Sequence, residues 1–576
     1  MSCADQKPSV PPNVIIIVTD DQGYGDVGFH DNTIIKTPNL DKFSKQAVEF
    51  TNFHVGTTCT PTRAGIMTGR NANRNGAWHT IAGASILNAD EETIAEVFQQ
   101  NGYKTGMFGK WHLGDNYPFR PHDRGFDEAF YHGGGGVQQT PDYWNNDYFD
   151  DTYFRNGVPE KTEGYCTDVW FDETINFIEK SKEEPFFIYL ATNAAHGPFN
   201  VPIESMKAYE NADLMTHQKR FYGMITNIDT NFGRLTSYLD EKQLTDNTIL
   251  IFTTDNGTAG GVARNKETQE EFGFNPLRGT KGSHYDGGHM VPFLLRWPDG
   301  KIEKMKVDEL TAHVDLLPTL TKMCKVPFTP KKELDGLDIS RVFKGDKLPE
   351  RVLITDTQRK QWPEKYRNPS VMKSKWRLVN HKELYNTSND LSQQDDVADK
   401  FPEVVNELQE AYESWWEKVE IEARHSIIPV GVNNNPVEIT IHDMHPNAEN
   451  GEIPWNQNHI RTGTTTTEGY YNIDIKSTRQ YQIKLSRWPL HSQLPLNAAV
   501  DEIPDQPHLS GLKAGRAITF NKAFFKVEDQ VWETAVDNSL SSAELTVDLP
   551  QGLTEMSAWF ELNDGTTMPA YFITFN

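Results

Sequence analysis

Residues 13–19, Asn-Val-Ile-Ile-Ile-Val-Thr, form an unbroken apolar run rich in β-branched side chains. A strand with one wet face alternates apolar and polar residues. A continuous run of this length predicts a strand buried on both faces of a parallel sheet. Similar runs recur at 103–108, 185–191 and 248–253. Helical spacing fills the intervals. One helix is predicted from Asp90 as N-cap, with Ile94, Val97 and Phe98 on one face and a stop at Gly102. Others are predicted at 169–180 and from about 218 to 241. Strands alternating with helices predict a doubly wound α/β sheet.

The alternation weakens near residues 334–338. Residues 351–385 read as a few antiparallel strands, among them 376–379, covered by a helix over about 400–419. From about 430 the pattern changes to short alternating segments separated by turns, such as 471–475, 480–485 and 543–549, which predict an all-β sandwich. The expected organisation is a catalytic α/β domain over 12–340, a small antiparallel-sheet subdomain with its packing helix over 341–425, and a β-sandwich over 430–576. The glycine run 133–136 reads as a flexible loop and not a phosphate cradle, since no helix follows it closely.

Composition narrows the chemistry. The 576 residues carry 56 Lys and Arg against 81 Asp and Glu, a formal charge of −25. Nucleic acid needs a basic footprint, so it is excluded as a partner. Any anion pocket must be positive locally, against the field of the whole chain. Four cysteines, at positions 3, 59, 166 and 324, are too few for a disulfide scaffold, and Cys166 and Cys324 read as buried thiols. No apolar run approaches the roughly 20 residues of a membrane span. The start, Met1 to Gln6, is similar to the remnant of a bacterial lipobox, with Cys3 as the acylated residue, and predicts an exported lipoprotein.

The polar residues fall where ligands bind in open α/β sheets, beyond the carboxyl ends of the strands. The first predicted strand ends in Asp20 and Asp21. The second ends in Lys110-Trp111-His112, the third leads to His196, and the fourth ends in Asp255 and Asn256. Three carboxylates and a carboxamide are hard oxygen donors, suited to Ca²⁺, with Mg²⁺ second, and poorly suited to zinc. Taken singly, Asp-Asp and Asp-Asn-Gly are ordinary turn chemistry. Pro61 suits the first turn of a helix beginning at Cys59. A helix N-terminus favours anions and lowers a thiol's pKa, so Cys59 is also a candidate nucleophile as a thiolate.

The string Cys59-Thr60-Pro61-Thr62-Arg63, followed by Thr68-Gly69-Arg70, resembles the signature of type I sulfatases. That resemblance implies an alkaline-phosphatase-like mixed sheet flanked by helices. It also implies that a maturation enzyme oxidises the cysteine to formylglycine. Once hydrated, the aldehyde presents two geminal hydroxyls, one to displace the alcohol from sulfur and one to expel sulfate. Further segments match. Residues 277–282 resemble the stretch that supplies a sulfate-binding lysine, here Lys281. Residues 286–292 resemble its Glu-Gly-Gly-x-Arg-Val-Pro continuation, with departures at Asp286 and Met290 that fall on a supporting ion pair. Residues 313–319 and 383–386 look like later landmarks, so the likeness spans about 12–420.

The resemblance implies that Asp20, Asp21, Asp255 and Asn256 bind Ca²⁺. It implies that Arg63 orients the hydrated aldehyde, that His112 assists sulfate release, and that His196 protonates the leaving alcohol. Lys110 and Lys281 would neutralise sulfate oxygens. Substrate choice would lie on the loop over this rim. There His132, Gln138 and Trp144, with Tyr131, Gln139 and Tyr143, read as a polar and aromatic platform for a sugar face. The expected substrate is an oligosaccharide of a sulfated polysaccharide, with marine algal polymers such as ulvan or carrageenan ahead of glycosaminoglycans. A phosphodiesterase or phosphonate monoesterase of the same superfamily is the alternative. A non-catalytic glycan-binding protein is the third reading.

Overall fold

The computed structural model describes residues 11–262, 276–432, 435–448, 451–463 and 467–576; Cys3 and its lipobox-like setting lie outside them. A ten-stranded mixed sheet forms the centre of the molecule. The Asn13–Thr19 strand runs parallel between Phe186–Ala191 and Thr248–Thr254, and Lys104–Lys110 lies parallel beyond Phe186–Ala191. Val14, Ile16 and Val18 enter one apolar core, and Ile15 and Ile17 enter the other. Both faces are therefore dry, which is why the run does not alternate. Helices Cys59–Thr68, Ile94–Gln100 and Leu316–Met323 cover one face, and Cys166–Ser181 and Thr216–Glu241 cover the other. The α/β class and the mixed sheet agree with the sequence reading.

One helix start needs correcting. Thr93, not Asp90, caps Ile94–Gln100: its hydroxyl accepts the Glu96 N–H at 3.1 Å, while Glu96 accepts the Thr93 N–H at 2.7 Å. This reciprocal capping box is legible in Thr-x-x-Glu. Asp90 instead pairs with Arg424 and Lys332.

A four-stranded antiparallel sheet, Leu353–Thr355, Ser370–Lys373, Trp376–Val379 and Glu383–Asn386, packs against the Pro402–Glu422 helix through Val371, Leu378, Leu384, Leu408, Tyr412 and Trp416. Farther along, a seven-stranded and a four-stranded sheet share one core containing Ile439, Ile473, Ile483, Leu545, Phe525 and Phe560. That core also takes in Ala82, Ile86, Phe119 and Trp144 from the large domain, so the sandwich is packed into its neighbour. Among the described residues no helix is long and apolar enough to cross a membrane.

Candidate active site

The sequence segments that end the central strands meet at one rim. Asp20 and Asp21 follow Asn13–Thr19 directly, and Asp255 and Asn256 follow Thr248–Thr254. Parallel pairing in register, Thr19 beside Thr254, brings the two acidic pairs side by side. The Asp21 N–H donates to Asp255 Oδ1 at 3.2 Å, and Asn256 Nδ2 donates to Asp21 Oδ1 at 2.8 Å. Asp21 and His112 both hold φ of 59°, a left-handed conformation uncommon without glycine and concentrated where side chains must be aimed.

Cys59 is the first residue of its helix, with Thr58 as N-cap. Its Sγ donates to Asp20 Oδ1 at 3.6 Å. Arg63 lies one turn on and is fully buried. Its Nε and Nη2 reach Asp255 Oδ2 at 3.1 and 2.7 Å, and its Nη1 donates to the Lys110 carbonyl at 3.0 Å. Arg63 therefore fixes the Asp255 carboxylate and the end of the neighbouring strand. Lys110 Nζ lies 2.5 Å from Asp20 Oδ2, and Lys281 Nζ lies 2.6 Å from Asp21 Oδ1.

The electrostatics follow from burying three carboxylates together. Burial, then the Asp255 charge, pushes Asp20 up to about 8. Burial also works against ionisation of Asp21, but Lys281, followed by His196, outweighs it and holds the carboxyl low. At Asp255 burial is likewise opposed, chiefly by Arg63, and the net shift is downward. Burial raises the Cys59 thiol to about 11 in spite of Lys110. This corrects the expectation of a thiolate: the helix N-terminus is outweighed by desolvation and by Asp20 and Asp255.

The donors fit a hard divalent cation. Ligand atoms of Asp20, Asp21, Cys59 and Asp255 lie within 4.8 Å of one another, and Asn256 Oδ1 is buried with no hydrogen-bond partner. An orphan acceptor beside crowded carboxylates is relieved by a cation. A second cluster, His54, Asp286 and His289, is already satisfied internally. His54 and His289 meet at 2.9 Å through their Nδ1 atoms, and Arg377 Nε lies 3.2 and 3.1 Å from the Asp286 oxygens. The departure at Asp286 thus retains a supporting ion pair, reached from the Trp376–Val379 strand.

His112 Nε2 donates to the Thr80 carbonyl at 2.9 Å, which leaves Nδ1 as a buried lone pair without a partner. Burial, then Lys110, holds this imidazole well below its ordinary range, so it is neutral. His196 is partly exposed and donates Nδ1–H to the Gly197 carbonyl at 2.6 Å. Burial and then Lys281 hold it down to about 3.

The loop read as a sugar platform is differently employed. Trp144 is buried and packs edge-on against Trp488 of the sandwich, with ring centroids 5.1 Å apart. His132 is buried, its Nδ1 on the Gly133 carbonyl, and burial lowers it to about 3. Gln138 is buried too; its N–H is held by Asp142, and its carbonyl accepts from Gln457 N–H. None of the three presents an open face. The sequence pattern could not reveal this for Trp144 and Gln138, because Trp488 and Gln457 lie more than 300 residues away. The glycine run is packed as well: a Cβ at Gly135 would stand 2.1 Å from His112 Cε1. Residues the sequence reading missed are Thr80, which sets the His112 tautomer, and its neighbours His79, Arg359 and His442. No local motif marks them.

Hydrolysis of an anionic ester is the chemistry such a rim serves, and the sheet around it is that of the alkaline-phosphatase-like superfamily. The family model for Sulfatase matches residues 12–326, and the chain belongs to that family. It is accordingly a sulfuric ester hydrolase. Among curated relatives, it is 30% identical to arylsulfatase G of Mus musculus over 386 residues, covering 60% of this chain and 71% of that enzyme. It is 30% identical over 490 residues to the N-acetylgalactosamine-6-O-sulfatase of Bacteroides thetaiotaomicron, covering 70% of this chain and 93% of that enzyme. Among solved structures, Ps i-CgsB in complex with k-i-k-neocarrahexaose superposes with a TM-score of 0.64 at 29% identity, covering 72% of this chain and 95% of that one.

Proposed function

We propose that the protein hydrolyses sulfate esters on oligosaccharides of a sulfated polysaccharide, with algal polymers such as ulvan or carrageenan ahead of glycosaminoglycans. The observation that carries the reading is Cys59, first residue of a buried helix and 3.6 Å from Asp20 within a ring of oxygen donors. The carbohydrate class is supported by likeness to a relative named for N-acetylgalactosamine 6-O-sulfate and to a neighbour solved with a neocarrahexaose. An exported enzyme suits a polymer that does not enter cells, and a formylglycine-generating enzyme is its required partner.

Formylglycine formed from Cys59 would supply, once hydrated, a nucleophilic hydroxyl and a second hydroxyl whose loss of a proton would release sulfate. Asp20, Asp21, Asp255 and Asn256 would hold Ca²⁺, which would supply positive charge to offset the bound sulfate. The chain's own residues do the rest. Lys110 and Lys281 offset the sulfate charge, which the −25 chain otherwise repels. His112, with Nε2 fixed on Thr80, offers its Nδ1 lone pair to the proton that must leave. His196 donates a proton to the leaving alcohol from Nε2. Burial and then Lys281 keep this ring neutral in the free protein; a bound sulfate offsets the Lys281 repulsion and so favours the protonated ring.

The test is sulfate release from a panel of sulfated oligosaccharides and from matched phosphate esters, with mass spectrometry of the peptide spanning Cys59. Preference for phosphate would replace the sulfatase reading by the phosphodiesterase one. Binding without release by fully modified protein would leave a glycan-binding protein. Unmodified cysteine in fully active enzyme would remove the nucleophile.

A further inference from the structure

Beside the reacting centre, three separate parts of the chain converge on His79. This ring is partly exposed, and its Nδ1 accepts the Thr80 N–H at 2.6 Å, so the proton sits on Nε2. The Thr80 carbonyl holds His112, which places His79 one residue from the group that takes the proton from the nucleophile. From the sandwich comes His442, 1% exposed, its ring 6.0 Å from that of His112. Neither of its nitrogens has a hydrogen-bond partner. The His442 carbonyl is tied to the large domain by the Gly83 N–H at 3.3 Å. From the small-sheet region comes Arg359, exposed, with Nη2 3.6 Å from where a Cβ at Gly282 would stand, next to Lys281.

Among the described residues Arg359 and the Nε2–H of His79 meet no acceptor, and His442 has no hydrogen-bond partner. Among the described residues no carboxylate pairs with Arg359. Asp356 accepts from Asn73 and Gln358, and Glu364 faces Lys360 and Arg367. The carboxylates beside His442 are Asp443, with Oδ1 3.9 Å from Nδ1, and Asp115. Arg359 is held at φ 23°, at the edge of the left-handed region, a strained setting for an exposed arginine with no carboxylate partner among the described residues. Burial first, and then Arg359, His442 and Arg367, drives His79 down to about 3, so the ring is neutral and offers its Nε2–H. Arg359 is thus the charged group, exposed beside Lys281, and an anion carried by a bound ligand suits it.

We propose that Arg359, His79 and His442 form a second anion subsite contiguous with the sulfate pocket, taking a further anionic group on the same oligosaccharide, a carboxylate or a second sulfate. This rests on the sulfatase reading above and narrows its substrate to a multiply anionic sugar chain. Arg359 is the specificity-determining residue, since its planar fork matches either oxyanion in bidentate fashion. The sandwich then has a direct part in the site, because it delivers His442.

The experiment uses three oligosaccharides of equal length carrying the same sulfate ester: one otherwise neutral, one with a uronate, one with a second sulfate. Free sulfate is measured with the mature full-length enzyme and with Arg359→Ala, Arg359→Lys and His442→Gln. The wild type is expected to prefer at least one doubly anionic substrate. Arg359→Ala should cut that preference about 10- to 100-fold, chiefly through KM, as loss of a charged hydrogen-bonding partner implies. Arg359→Lys should restore part of it, and His442→Gln should lower it to a smaller extent. The arm that shows the loss identifies carboxylate or sulfate as the second group. Equal treatment of all three substrates by the wild type, or an equal fall on all three in Arg359→Ala, would overturn the subsite while leaving the sulfatase reading intact. Release from none of them would sink the carbohydrate reading and this inference with it.

Discussion

The Asp286–Arg377 pair offers the sharpest test of how the small sheet supports the site. Both side chains are buried, at 0% and 1% exposure. Arg377 spends Nε on both Asp286 oxygens, Nη1 on the Ser374 and Trp376 carbonyls at 2.9 and 3.1 Å, and Nη2 on Asn52 Oδ1 at 2.7 Å. Asp286 belongs to the segment that also carries Lys281, anchored by Lys281 N–H on Thr258 and Gly282 N–H on Thr57. Arg377→Met leaves a buried carboxylate alone, and Asp286→Asn leaves a buried guanidinium alone. Each costs about 3–5 kcal/mol. The double variant removes both charges and loses the carbonyl and Asn52 bonds and the Nη2 contact to His54 Nε2 at 3.2 Å, so it should fall short of the summed single losses by about 2 kcal/mol or more. Guanidinium unfolding of the four proteins measures the cycle, and sulfate-release kinetics of the Arg377→Met enzyme should show a raised KM as the Lys281 segment loosens. Additivity within about 0.5 kcal/mol would refute the coupling.

Chelation should abolish sulfate release, and added Ca²⁺ should restore it in the wild type but not in Asp255→Asn; full activity in protein shown by elemental analysis to be metal-free would refute the cation site. Trp144→Ala should destabilise the protein by about 3–5 kcal/mol, as deletion of a buried tryptophan does; a raised oligosaccharide KM with unchanged stability would return Trp144 to sugar binding. Burial pushes Asp26 up to about 7 despite bonds from Thr258 and Gly23. The folded chain therefore keeps a proton that the unfolded chain gives up near pH 4, and stability falls as pH rises from about 4 to about 7 through this group. Asp26→Asn should flatten that part of the stability–pH curve measured by thermal unfolding, and an unchanged slope would show that Asp26 ionises normally.

Much of the frame was legible along the chain. The runs at 13–19 and 248–253 read as doubly buried parallel strands because β-branched residues without alternation have no wet face. Asp20, Asp21, Asp255 and Asn256 stood out because they follow those strands directly, and Cys59 because its neighbours form a specific string. Each of these is a local property, set by residues within a few positions of one another. What the tertiary structure alone decided is who faces whom across long separations. Arg63 clasps Asp255, 192 residues away, and Arg377 clasps Asp286, 91 residues away. The sandwich buries Trp144 and delivers His442. The Cys59 thiol shows the same division: its helix predicts a lowered pKa, while burial beside two carboxylates raises it. Propensity and motif act locally, but desolvation and charge depend on every group brought near, and only the completed fold specifies those.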